Sequence, residues 1–258
     1  MSAHIHVRDV TLDVPFYEQQ ARSSTKSWAG TLLGAAFSPP RRRFARILDS
    51  VSFDIPAGSR VALLGRNGAG KTTLLRVLSG AFQPTSGVLQ VSGARQALLN
   101  LGLGFNAEAT LVENIFLRAT AMGIAPNQIR DMVDQILEFS GLAHVAQRRL
   151  STLSSGQRMR LGFAISTSVQ HDIMLMDEWF GAGDASFVNK ARARLNDRVA
   201  SSQIVVLASH NFQMLRKVCD SGIVLEQGKV AFTGEVNAAI NAYKEIYRAV
   251  PKADKKAA

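Results

Sequence analysis

A chain of 258 residues, 47% of them hydrophobic, has material for one large core or one domain with an appendage. It has no apolar run near the roughly 18 residues that a membrane-spanning helix needs. A single cysteine, Cys219, excludes an internal disulfide framework, and MSAHIHVRDV lacks the basic and apolar stretches of a secretion signal, so a soluble protein of a reducing, cytoplasmic compartment is expected. A net charge of +10 favours an anionic partner without choosing among nucleic acid, phosphate compounds and an acidic membrane face.

His4–Val14 alternates loosely and is predicted as a strand. A polar excursion follows over Glu18–Arg46, with Arg41, Arg42, Arg43 and Arg46 close together. Within it SWAGTLLGAAF can form a short apolar helix through Trp28, Leu32, Leu33 and Phe37. Two readings stay open here: a surface loop with a packed turn of helix, or a basic, aromatic-bearing segment near a membrane surface or membrane partner. Val51 and Phe53 alternate with polar residues as in a half-exposed strand, Pro56-Ala57-Gly58 makes a turn, and Arg60–Leu64 reads as a buried strand. A glycine-rich loop then leads into a helix over Thr72–Leu78.

Short strands are predicted around Val88–Val91 and Gln96–Leu99. In Gln128–Phe139, Ile129, Met132, Val133 and Ile136 recur at i, i+3, i+4 and i+7, one face of a helix. A helix after Gly156 feeds a strand at Ile173–Met176, and a helix over about Ala185–Val199 feeds another at Ile204–Ala208. Strands at Ser221–Glu226 and Lys229–Phe232 precede a closing helix with Val236, Ala239, Ile240, Tyr243, Ile246, Tyr247 and Val250 on one face. Alternating strands and helices give an α/β fold with a parallel central sheet.

Four stretches carry chemistry. Gly65-Arg66-Asn67-Gly68-Ala69-Gly70-Lys71-Thr72, followed by Thr73, matches the phosphate-binding pattern G-x-x-x-x-G-K-[ST] between a strand and a helix. Glycines let such a loop curl until several backbone N–H groups face one phosphate chain. Lys71 would reach the β- and γ-phosphates, and the Thr72 hydroxyl would ligate Mg²⁺. Ile173-Met174-Leu175-Met176-Asp177-Glu178 places acids at the C-terminal edge of a buried strand, where open α/β sheets bind ligands. Asp177 would hold Mg²⁺ and Glu178 would polarise an attacking water as general base. His210, after Ile204–Ser209, belongs to the same edge and can donate to a γ-phosphate. In LSSGQRMR, residues 153–160, one serine suffices as helix cap, yet a second serine, Gly156 and an arginine pair accompany it, a composition that also suits an anion at a helix N-terminus. His4 and His6 alternate on the predicted strand with no cysteine beside them, and no metal site is expected there.

GRNGAGKTT, LSSGQRMRL, IMLMDE, GAGD and ASH, in that order and spacing from about Ile47 to Glu235, resemble the Walker A, signature, Walker B, D-loop and H-loop motifs of ABC transporter ATP-binding subunits. The resemblance implies a P-loop NTPase with a RecA-like parallel-sheet core, an antiparallel β subdomain and an α-helical signature subdomain. It implies one nucleotide-binding domain over residues 1–258, with a basic insert at 18–46, a helical subdomain at about 105–165 and a C-terminal helix and tail at 236–258. Two copies would sandwich two ATP molecules with Mg²⁺ head to tail. Each ATP would lie between the P-loop of one copy and Ser154, Ser155, Gly156 and Gln157 of the other, with Asp184 at the seam.

Residues 99–117, the long insert and DEWFGAGDASF are similar to members that export O-antigen, capsule or teichoic acid. That implies a polytopic membrane permease partner in two copies, a lipid-linked polysaccharide as substrate, and a peripheral place at the cytoplasmic face of the bacterial inner membrane. Some such members carry a further C-terminal carbohydrate-binding domain, which is not expected in a chain ending at Ala258. Two other readings share motifs: an exporter of a drug, lipid or peptide, and a soluble ABC ATPase acting on nucleic acid. The latter is not favoured, because neither an inserted coiled coil or zinc module nor a second ATPase half is present. Two departures stand out. Most members have a glutamine in the loop before the helical subdomain, whereas Gly102–Glu108 has none and Asn106 is the nearest stand-in. For the aromatic that stacks on adenine, Phe44 and Tyr17 are candidates, with Arg46 at the matching position.

Overall fold

The structure, a computed structural model, describes residues 2–18, 41–99, 102, 104–178 and 185–248. Strands β1 (His4–Glu18), β2 (Arg41–Pro56) and β4 (Ser86–Ser92) form a three-stranded antiparallel sheet in the order β2-β1-β4. The remaining strands are β3 (Arg60–Leu64), β5 (Arg95–Leu98), β6 (Ile173–Asp177), β7 (Ile204–Ala208), β8 (Ser221–Glu226) and β9 (Lys229–Glu235). They form a six-stranded sheet in the order β5-β6-β7-β3-β8-β9, parallel except for the β8–β9 hairpin.

The helices are α1 (Lys71–Leu78), α2 (Leu111–Ala121), α3 (Pro126–Ser140), α4 (Ser155–Ser166), α5 (Ala185–Ser201), α6 (Phe212–Val218) and α7 (Val236–Arg248). Side chains alternate across a strand, so the central strands feed two cores. Val61, Leu63, Ile173, Leu175, Ile204 and Val206 pack with α1 and the antiparallel sheet. Ala62, Leu64, Met174, Met176, Val205 and Leu207 pack on the opposite face with the helices of residues 111–201 and α7. This burial on both faces is why these strands read as continuous apolar runs.

Local signals set the helix ends. Thr110 and Glu113 form a reciprocal capping box at α2. Pro126 opens α3, and Gly141 in a left-handed conformation ends it. Asn211 caps the seven-residue α6, which the sequence pattern does not reveal. No helix among the described residues is long and apolar enough to cross a membrane.

The excursion expected at 18–46 is shorter than its sequence suggests. Asp13–Glu18 of β1 pairs with Arg46–Arg41 of β2, so these residues are an arm of the antiparallel sheet. Arg46 is fixed there by Asp13, with Nε 2.9 Å and Nη2 3.3 Å from its carboxylate oxygens. The helix expected in SWAGTLLGAAF lies outside the described residues. Strand pairing also brings an acid to the two N-terminal histidines: Asp54 lies 2.9 Å from both His4 Nε2 and His6 Nδ1. Those hydrogen bonds, His4 first, hold the Asp54 carboxyl below the usual aspartate range.

The β8–β9 turn is pressed against β2 and the glycine loop. Gly228 has φ 80°, donates to Ala69 O at 3.1 Å and accepts from Asp49 N at 2.9 Å. A Cβ there would meet Ile47 O at 2.4 Å. Gly228→Ala is therefore expected to cost about 2 kcal/mol or more, combining the left-handed backbone with a clash against backbone. Gly141→Ala, at φ 71° with nothing within 4 Å of a new Cβ, meets only the backbone cost. Thermal unfolding should show the lower Tm for Gly228→Ala; equal shifts would contradict the close approach.

Candidate active site

Parallel strands bring their C-terminal ends to one edge, and the site is built there. The loop after β3 needs its glycines: Gly68 and Gly70 have φ 83° and 102°, and a Cβ on Gly65 would lie 2.7 Å from Leu225 O. Gly70 caps α1 in a left-handed conformation, so Lys71 opens the helix. Lys71 is buried, and its Nζ donates to Gly65 O at 2.7 Å and to Arg66 O at 3.1 Å. Burial pushes its pKa below the usual lysine value, against the attraction of the Asp177 and Glu178 carboxylates.

The Thr72 hydroxyl donates to the Asp177 carboxylate, joining α1 to the last residue of β6. Pairing of Asp177 with Ala208 sets the next residues side by side. Glu178 has φ 65°, and its N–H donates to Ala208 O at 2.8 Å. Such a backbone is costly for a non-glycine residue and is typical of functional sites. Its carboxylate accepts from Ser209 Oγ at 3.4 Å and lies 3.9 Å from His210 Nε2. Ser209 was not singled out in the sequence; its one signal was its place between a strand end and His210. A cavity of about 520 Å³ runs along this edge, lined by Lys71, Thr72, Asp177, Glu178, His210 and Ile47. Arg66, Asn67, Gly68, Gly70 and Thr73 complete its wall, while Ala69 faces a neighbouring cavity. Glycine-loop, acidic and histidine residues separated by more than a hundred positions thus share one space. The hydroxyl of Thr72 and the carboxylate of Asp177 are oxygen donors of the kind a hard cation such as Mg²⁺ takes, with its other positions left to water and phosphate.

The LSSGQ stretch lies elsewhere. Ser154 caps α4: its Oγ accepts from Gln157 N at 3.2 Å, and Gln157 Oε1 accepts from Ser154 N at 2.9 Å. Ser155 is exposed, and a Cβ on Gly156 would meet nothing within 4 Å. Neither cavity beside the glycine loop is lined by residues 154–157. Behind it, Arg158 donates to Leu153 O and Ser151 O, and the Arg160 guanidinium lies 5.8 Å from the centre of the Phe187 ring. Asp184 lies outside the described residues.

In the loop that lacks a glutamine, Asn106 Oδ1 accepts from Glu108 N at 3.0 Å, and the buried Asn114 side chain holds the Asn106 backbone at 2.8 and 2.9 Å. Of the residues considered for adenine, Phe44 is exposed and Arg46 is bound to Asp13, and neither lines the cavity, whereas the neighbouring Ile47 does. The Tyr17 side chain lies outside the described residues.

The profile of the ABC transporter family matches residues 48–181. The chain is 34% identical over 225 residues to the O-antigen export system ATP-binding protein RfbE of Yersinia enterocolitica, covering 86% of this chain and 94% of that protein. It is also 34% identical over 210 residues to the O-antigen export system ATP-binding protein RfbB of Klebsiella pneumoniae, covering 81% and 85%. With the teichoic acids export ATP-binding protein TagH of Bacillus cereus it shares 32% over 201 residues, 78% of this chain but 36% of that protein. Among solved structures, an ATP binding subunit of an ABC transporter aligns with a TM-score of 0.69 at 19% identity, covering 94% and 99% of the two chains. The dimeric post-hydrolysis state of the ATP-binding cassette MJ0796 bound to ADP and Pi aligns at 0.65 and 18% identity, covering 90% and 98%. At those identities the two structures speak for the fold.

Proposed function

The chain belongs to the ABC transporter family, and from that premise we propose that it is the ATP-hydrolysing subunit of an exporter of a lipid-linked bacterial polysaccharide. It works on a separate polytopic permease, two copies of each, at the cytoplasmic face of the inner membrane. The observation that carries the ATPase reading is the convergence of Lys71, Thr72, Asp177, Glu178 and His210 on one cavity. The choice of cargo rests on the 34% identity to O-antigen export proteins over most of the chain.

The residues divide the work. Lys71 and the glycine-loop amides bind the β- and γ-phosphates of ATP. Thr72 and Asp177 would hold Mg²⁺, which would supply charge neutralisation on those phosphates. Glu178 accepts a proton from the attacking water as it turns on the γ-phosphorus. His210, 3.9 Å from Glu178, donates to the γ-phosphate and keeps that carboxylate in register. Ser209 steadies it from the other side, 3.4 Å away. Ser154 and Gln157 spend their side chains on the helix cap, which leaves the Ser155 hydroxyl and the unobstructed Gly156 to meet the γ-phosphate bound by a second copy. ATP binding then closes two copies, hydrolysis reopens them, and the permease follows.

Tagged protein recovered from membranes of its own host is expected to bring one polytopic membrane protein in equal amount. Cells whose copy carries Glu178→Gln are expected to accumulate lipid-linked glycan inside. Recovery with ribosomes or DNA alone, or accumulation of a different cargo with surface polysaccharide unchanged, would overturn the reading.

A further inference from the structure

A second cavity, of about 530 Å³, shares Arg66, Asn67, Gly68 and His210 with the first, and its far wall is Tyr243 and Tyr247 of α7. The first half of α7 is core: Val236, Ala239 and Ile240 are buried, and Gly222 of β8 has no side chain where Ala239 packs, since a Cβ there would lie 2.6 Å away. The second half turns two tyrosines to the cavity. The Arg66 guanidinium lies 5.5 Å over the Tyr247 ring, Tyr247 packs on Tyr243 at 4.8 Å, and Tyr243 meets Phe212 edge-on at 5.6 Å. Phe212 opens α6, two residues after His210. The Tyr247 hydroxyl donates to Leu225 O at 3.3 Å, the carbonyl against which Gly65 sits. An unbroken ladder of rings therefore joins the rim of the glycine loop to the segment that carries His210. Buried Leu or Ile would serve a plain helix-packing role; Tyr, with one apolar face and one polar end, suits a wall that is packed on one side and open on the other.

We propose that Tyr243 and Tyr247 are positioning residues for ATP hydrolysis, holding Arg66 of the glycine loop and the His210 segment at a fixed spacing. The proposal rests on the ATPase reading of the glycine loop and His210. A ladder of this kind acts on the alignment of the transition state more than on binding of the phosphate chain, because its rings meet the glycine loop at Arg66, and Lys71 is tied to it only through the Arg66 carbonyl, 3.1 Å from Nζ.

The test is ATP turnover by the full chain with Tyr247→Leu, Arg66→Ala, the double variant, and the conservative Tyr247→Phe and Arg66→Lys. Tyr247→Leu and Arg66→Ala are each expected to lower kcat about fivefold to tenfold, while KM for ATP moves less than about twofold. The double variant should lose clearly less than the two single losses multiplied together, since both singles break the Arg66–Tyr247 contact. Tyr247→Phe and Arg66→Lys, which keep the ring and the cation, should recover most of the rate. Wild-type kcat in Tyr247→Leu, additive losses in the double variant, or losses that only track the fraction of folded protein would overturn the proposal. Glu178→Gln is run beside them. If it hydrolyses ATP normally, the site reading itself has failed; if it is inactive while the ladder variants are normal, only the ladder has.

Discussion

Glu178→Gln is expected to abolish ATP turnover while leaving a folded chain that binds ATP and, with ATP, becomes a stable dimer. Glutamine keeps the size of the side chain, and its Oε1 can still accept from Ser209, 3.4 Å away in the native chain. The backbone at φ 65° is no harder for glutamine than for glutamate. The negative charge is lost, and with it the capacity to take a proton from water. A positioned general base is worth about 10²–10⁴ in rate, and kcat should fall by that much. Phosphate release measures the loss, and light scattering with ATP present measures the mass, which should rise from 27.9 kDa to twice that value. Turnover at the wild-type rate would remove Glu178 from the role assigned to it.

Gly156→Asp should give an equally large loss by a different route. The position is the second residue of α4, has no positive φ, and leaves open space where a side chain would go. An acid in the first turn of a helix is favourable, so the isolated chain should keep its stability to within about 0.5 kcal/mol. ATP binding to the single chain should also persist, because residues 154–157 do not line its glycine-loop cavity. Hydrolysis should nevertheless fall about a hundredfold or more, since the new carboxylate would face the partner copy's γ-phosphate, and like charges set together across an interface cost several kcal/mol. If LSSGQ were only a helix cap, Gly156→Asp would turn ATP over normally.

The parts of the site that sequence reveals are those whose signals are local. The glycine loop sits between a strand and a helix, as its pattern requires, and the four apolar residues before Asp177 are a buried strand. The serines of LSSGQ also divided as their chemistry suggests: Ser154 caps, and Ser155 is left over. What depends on pairing across distance was not legible. Nothing in Arg41–Arg46 marks it as a strand until Asp13 stands opposite Arg46. An acid reaches His4 and His6 only in space, because Asp54 arrives through the β1–β2 register. Arg158, behind the serines, is held by the backbone carbonyls of Leu153 and Ser151, a contact that no sequence pattern announces. The closing helix showed its apolar stripe in sequence, but that the same stripe ends on Arg66 follows only from where α7 docks. Sites shared by two copies, such as the one proposed for Ser155 and Gly156, leave no trace in one chain except a surface with too little on it.

The proposed head-to-tail arrangement is tested by cross-linking single cysteines. Cys219 is buried, and burial pushes its thiol pKa up to about 12, so it stays silent. Chains carrying Ser155→Cys and chains carrying Asn67→Cys, each in the Glu178→Gln background, are mixed with ATP and a short bis-maleimide. A covalent dimer that forms in the mixture, depends on ATP and is absent from Ser155→Cys alone is the expected result. Dimers of Ser155→Cys with itself, or no covalent dimer in the mixture with ATP bound, would contradict an ATP site divided between two copies.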